Sequence, residues 1–169
     1  NEPVTTVASA LFCTNNVGNA ATAGEGKEVV RENILKGAKI IACSGYTNDE
    51  EKPDFLLDGK TDTKWCDVSQ TPNYVDFDLG KAQNISGWKM VNAGQESHSY
   101  ITNGCFLQGK MNPGDEWTTL DAIDGNHANV ISRPLNYDGK VRYIRLLVTR
   151  PTQSTGGRDT RIYELEVYK

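Results

Sequence analysis

Several features that would assign a function class at once are missing from this sequence. Its longest apolar runs, such as residues 40–43 and 144–148, fall far short of the roughly 20 residues that cross a bilayer, so no membrane insertion is expected. Positive charge is not in excess: 18 Lys+Arg stand against 22 Asp+Glu, a formal net charge of −4. That balance lacks the electrostatic footprint of a protein that binds nucleic acid or an anionic membrane. Histidine is scarce, with only His98 and His127, and the four cysteines (Cys13, Cys43, Cys66, Cys105) show no CxxC spacing, so a zinc site is not expected. There is no Gly-x-Ser-x-Gly elbow, and both histidines sit in polar stretches away from any nucleophile pattern. The run Gly104–Lys110 comes near a phosphate-binding P-loop, but Met111 stands where a Ser or Thr must hold magnesium, and the run reads as a strand.

Helical periodicity is also lacking, since no segment sustains an apolar stripe at i, i+3, i+4 and i+7 with caps. What the chain does have is short β-type runs. Val75, Phe77 and Leu79 alternate with Asp76 and Asp78, a strand with one buried face and one face read as solvated. Further runs lie at 85–91, 106–110, 117–120, 143–149 and 162–168. Between them fall Asn112-Pro113-Gly114-Asp115, Asp124-Gly125-Asn126 and Asp138-Gly139, which are turn signals. The length of 169 residues suits one domain with its own core. The expectation is an all-β sandwich or jelly roll with little helix. Residues 1–32, rich in small residues, read as an N-terminal lead-in segment or linker, and 33–169 as the domain. No basic stretch followed by an apolar one opens the sequence, so any export signal is expected to have been removed or to lie outside it. Trp65, Trp88 and Trp117 each sit in or beside a strand pattern and are expected in the core. The four cysteines allow three full pairings.

The informative stretch runs from Asp54 to Trp65, with Asp58-Gly59-Lys60-Thr61-Asp62-Thr63-Lys64-Trp65 at its end, followed by Val75-Asp76-Phe77-Asp78-Leu79-Gly80. The remaining landmarks come in order: Asn33, the turn into Trp117, Gly125-Asn126, Tyr143-Ile144-Arg145-Leu146 and the closing stretch 161–168. This arrangement resembles the discoidin, or coagulation factor 5/8 type C, superfamily over about residues 33–169, and its closing stretch is most similar to bacterial family 32 carbohydrate-binding modules. The resemblance implies a discoidin-type jelly roll with a structural calcium ion. Asp58 and Glu164 would supply carboxylates, Thr63 a hydroxyl and carbonyl, and Phe55, Lys60 and Tyr163 backbone carbonyls, the hard oxygens calcium takes. On the residues alone, Asp58-Gly59 is as readily a plain turn with an unrelated surface Glu164.

The same resemblance places a sugar on loops at one end of the sandwich. The matching residues are Asn92, Glu96, Ser97, His98 and Tyr100 after one strand, Asp67 after Trp65, and Arg158 in the loop 151–158. Polar side chains would bond sugar hydroxyls and an aromatic ring would carry the apolar sugar face. His98 and Tyr100 could equally be loop residues packing on their neighbours. Asn92 stands where related modules often carry His or Arg, and Ile101-Thr102 where they carry Asn-Thr, which leaves the preferred sugar open. The resemblance also includes modules with cysteines at the positions of Cys43 and Cys66, the first disulfide candidates. It implies a non-catalytic domain that binds a terminal sugar of a glycan, covalently linked to a catalytic domain in a secreted or cell-surface bacterial glycoside hydrolase. The alternative from another class is a discoidin-type adhesion domain that binds a protein or a phospholipid.

Overall fold

The computed structural model describes residues 31–169; Cys13 and the lead-in segment up to residue 30 lie outside the described residues. The compact body runs from Asn33 to Lys169. It contains β1 (Lys39–Cys43), β2 (Trp65–Asp67), β3 (Asn73–Asn84), β4 (Gly87–Asn92), β5 (Gly104–Lys110), β6 (Thr118–Ile123), β7 (Val130–Pro134), β8 (Lys140–Arg150) and β9 (Thr160–Tyr168). They form two antiparallel sheets, β1-β3-β8-β5-β6 and β2-β9-β4-β7. Helix among the described residues is confined to three short 3-10 turns, Asp49–Glu51, Pro53–Leu57 and His98–Tyr100. This is the β-sandwich the alternating pattern implies, and the near-P-loop run is strand β5.

The period-2 alternation decides which side chains enter the core. Val75 and Phe77 from β3, Ile144, Leu146 and Val148 from β8, and Leu107 from β5 face Trp88, Met90, Leu165 and Val167 from the other sheet, all without solvent exposure. Trp65 and Trp88 are buried as expected, and each indole N–H has a partner: Trp65 donates to the Gly45 carbonyl at 2.9 Å and Trp88 to Asp121 at 2.8 Å. A buried indole needs that acceptor, because an unpaired N–H in the core costs stability.

Three expectations are corrected. Trp117 is not core: it is half-buried, with Lys110 at 4.4 Å and Arg145 at 4.8 Å from its ring centroid. The same Arg145 lies 4.4 Å from the Tyr74 ring and grips Asp76 through two bonds of 2.6 and 2.8 Å. Asp76 is therefore buried on a face read as solvated, whereas Asp78, paired with Arg142, is only half-covered. The third correction is the disulfide, since Cys43 and Cys66 are both free thiols. Ser44 donates to the Asp67 carboxylate at 2.5 Å, so those two side chains face each other. Successive side chains of β2 point to opposite faces, which turns Cys66 away from the side of Asp67, whose charge acts on Cys43. Their charged neighbours accordingly differ: Asp67, Asp54 and Asp76 act on Cys43, and Glu51, Arg161 and Lys64 on Cys66. Cys105 is a buried core residue whose thiol is pushed up to about 12 by burial.

Candidate functional site

At one end of the sandwich the turn Pro53–Leu57 buries Leu56 and delivers Asp58 to a loop that reverses at Gly59, whose φ of +77° favours a residue without Cβ. Strand β9 meets this loop. Its register against β4 slips so that Val91 faces Glu164 while Asn92 faces Ile162, leaving Tyr163 as a bulged extra residue. Ile162 thus stays in the core while Glu164 reaches the loop. One Glu164 oxygen accepts from the Gly59 N–H at 2.9 Å and the Lys60 N–H at 3.1 Å. Asp58 accepts from the Lys60 N–H at 2.9 Å and the Thr63 hydroxyl at 2.5 Å.

Burial pushes the Glu164 carboxyl up to about 8, and the adjoining Asp58 carboxyl adds to the shift by hydrogen bonding and repulsion. Burial also opposes the charge on Asp58, but the bonds from Thr63 and Lys60 outweigh it and hold Asp58 below the usual carboxylate range. Two neighbouring carboxyls that resist joint ionisation are what a divalent cation relieves. Among the described residues no group of three or more His, Cys, Asp or Glu forms, so a site here takes two carboxylates with hydroxyl and carbonyl oxygens. That set of hard donors fits calcium. Of the six expected ligands, Asp58, Thr63 and Glu164 come together. Lys60 takes part through its N–H, Phe55 lies in the preceding 3-10 turn, and the Tyr163 side chain points toward the next loop.

That next loop, 93–103, is tied to the first. Gln95 donates to the Thr61 carbonyl at 3.1 Å and to the Tyr163 hydroxyl at 3.3 Å, and Tyr163 in turn donates to Glu96. Lys64 pairs with Glu96 at 3.2 Å and with Glu51 at 3.4 Å. Burial works against ionised Glu96, but the bonds from Tyr163 and Lys64 win and hold its carboxyl below the ordinary range. Two of the residues expected to touch sugar are corrected here. Asn92 is fully buried, donating to the Asn129 carbonyl at 3.1 Å and accepting from the Thr102 N–H at 3.1 Å. Asp67 is buried under Ser44, Ser69 and Asn73, all of which donate to it. Neither can reach a ligand in solvent. Ser97 caps the turn His98–Tyr100 by accepting from the Ser99 N–H at 3.3 Å.

His98, Tyr100 and Arg158 remain. Tyr100 is half-buried, with the Arg161 guanidinium 4.0 Å from its ring centroid, while His98 and Arg158 are exposed. Tyr100 and Arg158 line a shallow depression of about 360 Å³ together with Ser99, Thr152, Ser154 and Arg161. Gln153 fixes the loop behind it. Its N–H donates to the Ser99 carbonyl at 3.0 Å, its side-chain amide to the Ile101 and Asn126 carbonyls at 2.8 and 2.9 Å, and its oxygen meets His127 at 2.6 Å. Sequence reading named the loop 151–158 but missed Gln153 and Arg161. An Arg two residues before the Tyr-Glu-Leu signal of the last strand would not distinguish itself from a surface charge, and Gln153 acts only through partners 26 to 54 residues away in sequence.

The sequence profile of the F5/8 type C domain family matches residues 40–165. The chain belongs to that family. Among solved structures, this F5/8 type C domain is similar to the family 32 carbohydrate-binding module of Streptococcus pneumoniae EndoD, with 27% identity over 82% of this chain and 99% of that one and a TM-score of 0.71. It shares the fold of chitosan-binding module 2 from the chitosanase/glucanase of Paenibacillus sp. IK-5, solved with chitotriose, at 20% identity over 81% of this chain and 100% of that one, TM-score 0.67. The family 32 module of Clostridium perfringens NanJ, solved with galactose, has the same fold at 17% identity, 83% and 100% coverage and a TM-score of 0.65. A comparison with curated proteins finds no match.

Proposed function

We propose that this domain is a non-catalytic glycan-binding module that takes a terminal sugar at the Tyr100 depression and is held in shape by a calcium ion at Asp58, Thr63 and Glu164. The observation that carries the reading is the set of free groups at that depression. Among the described residues the Tyr100 hydroxyl and the Arg158 guanidinium in its lining, and the His98 ring in the adjoining turn, have no hydrogen-bond or ion-pair partner, while the Arg161 guanidinium packs over the Tyr100 ring and positions it. A positioned aromatic face beside open polar groups is what a sugar ring needs, one apolar face and several hydroxyls at its rim. The 27% identity with the EndoD module, over nearly all of that module, supports the same reading. The calcium ion would tie the loop after Leu57 to the last strand and act on stability rather than on the sugar. In a secreted glycoside hydrolase, such a domain keeps a linked catalytic domain near its substrate by raising local concentration.

A glycan array run with and without a chelator tests this, followed by calorimetry of the wild type and Tyr100→Ala against the best hit. Loss of detectable binding in Tyr100→Ala with an unchanged circular dichroism spectrum is the expected result. No hit on any glycan would overturn it in favour of an adhesion domain for a protein or phospholipid partner.

A further inference from the structure

The Tyr100 depression does not stand alone. A second, also of about 360 Å³, adjoins it, with Gln70, Thr71, Asn103 and Arg150 on its far side. The two share Thr152, Ser154, Gly156, Gly157 and Arg158 as a common wall. The wall is a tight backbone turn: Gly156 has a φ of +87°, and a Cβ on Gly157 would stand 1.9 Å from the Thr152 hydroxyl. Only glycine permits that approach, and the turn sets Arg158 at the junction, facing both depressions.

The charge of this lining departs from that of the molecule. The whole chain carries a net charge of −4, yet the two depressions contain Arg150, Arg158 and Arg161 against a single carboxylate, Asp159. Asp159 is itself taken up by Arg161 at 3.3 Å. Arg150 pairs with Asp124, but their side chains are 57% and 82% exposed, so the pair is worth little and the arginine can exchange it for a ligand. Arg158 has no ion pair among the described residues. A lining of arginine, threonine, serine and amide groups with no free carboxylate is donor-rich. It suits a ligand rich in acceptors, and a guanidinium binds a carboxylate or sulfate through two parallel hydrogen bonds.

We propose that the two depressions form one cleft for an acidic oligosaccharide of at least two sugar units, with Tyr100 carrying one unit and Arg158 pairing with the carboxylate or sulfate of its neighbour. This rests on the glycan-binding reading above and adds the class of glycan. The test is an array of neutral, uronate-bearing and sulfated oligosaccharides, read with the full chain at low and high salt. Hits concentrated among the acidic members and fading at high salt are expected, because the screening length around an exposed charge falls from about 30 Å at 0.01 M salt to about 3 Å at 1 M. The uronate and sulfate arms then identify the acid. Against the best acidic hit, Arg158→Gln should weaken binding about tenfold and flatten its salt dependence, whereas Arg158→Lys should recover part of both. The melting temperature should not move, since Arg158 is exposed and unpaired. Hits confined to neutral glycans would overturn the acidic cleft while leaving glycan binding intact, and so would an Arg158→Gln loss equal for acidic and neutral ligands. An array with no hit overturns both.

Discussion

The two halves of the candidate end of the sandwich are both built from polar loop residues and differ in how their hydrogen bonds are used. Around Asp58 and Glu164 nearly every polar group has a protein partner: Glu164 on Gly59 and Lys60, Gln95 on Thr61 and Tyr163, Glu96 on Tyr163 and Lys64. Around Tyr100, Arg158 and His98, Arg161 packs on the Tyr100 ring and Gln153 fixes the loop through backbone carbonyls, while the outward polar groups are open. A polar loop residue is thus no guide to binding until its partners are known. The closed half fixes geometry and the open half is left for a ligand.

Calcium removal should separate the halves most strongly. With calcium about 100-fold above its Kd, binding to the folded state contributes about 2.7 kcal/mol, and chelation should lower the melting temperature by roughly 5–10 °C in a scan of the wild type. Asp58→Ala should abolish the response to chelator. If chelation leaves the transition where it was, the closed half stands without an ion.

The next effect is the pH dependence of the same scan. In chelator, Glu164 is raised from an ordinary 4.5 to about 8, so the folded state holds its proton more tightly than the unfolded one. Its contribution is fully present below about 4.5 and is lost as pH rises through about 8, so the chelated protein should soften across that window. Calcium requires the ionised carboxylate, so the stabilisation it adds should grow with pH over the same range. Parallel melting curves at pH 5 and pH 8, with and without calcium, read both signs; Glu164→Gln should remove the slope in chelator.

These two measurements act on Asp58, in the Asp58–Trp65 stretch, and on Glu164, in the closing stretch, which only the family resemblance joined in the sequence. Legibility followed how local the cause was. The strand through Val75 and Phe77 announces itself by alternation, and β5, β8 and β9 by their runs. Strand β2 spans only Trp65–Asp67, and β7, Val130–Pro134, is mostly exposed, so neither leaves a periodic trace. Trp117 looked like core because apolar bulk beside a strand usually is, and only its cationic neighbours Lys110 and Arg145 show it on the outer face. At the site, the loops were legible and the state of their side chains was not. Asn92 is consumed by a carbonyl 37 residues away and Asp67 by a serine 23 residues away, contacts no local pattern encodes.

The contrast sharpens in two single substitutions that should cross. Glu96→Ala removes the acceptor of the buried Tyr163 hydroxyl and one partner of Lys64, and should cost about 1–2 kcal/mol of stability, with a smaller effect on glycan affinity. Tyr100→Ala should do the reverse, with affinity lost and only a small shift in melting temperature. Thermal scans and calorimetry of both variants decide it, and the distinction between the halves fails if Glu96→Ala abolishes binding while leaving stability untouched.

The smallest effect concerns a group that belongs to neither half. Thr102 lies near the end of the loop 93–103, just before β5; its N–H is taken by Asn92 and its carbonyl by Asn126, yet its buried hydroxyl has no partner. An open polar group at the rim can meet a sugar, but one without solvent exposure cannot, so this hydroxyl bears only the cost of its desolvation. Replacing it with a methyl group of similar shape removes that cost and leaves both backbone bonds in place. Thr102→Val should therefore hold or raise stability by up to about 1 kcal/mol, a rise of up to roughly 4 °C, with glycan affinity unchanged. A fall in melting temperature would mean that the hydroxyl has a partner after all. A fall in affinity at constant stability would extend the open half inward past Tyr100, and the line between geometry and binding would have to be redrawn through residue 102.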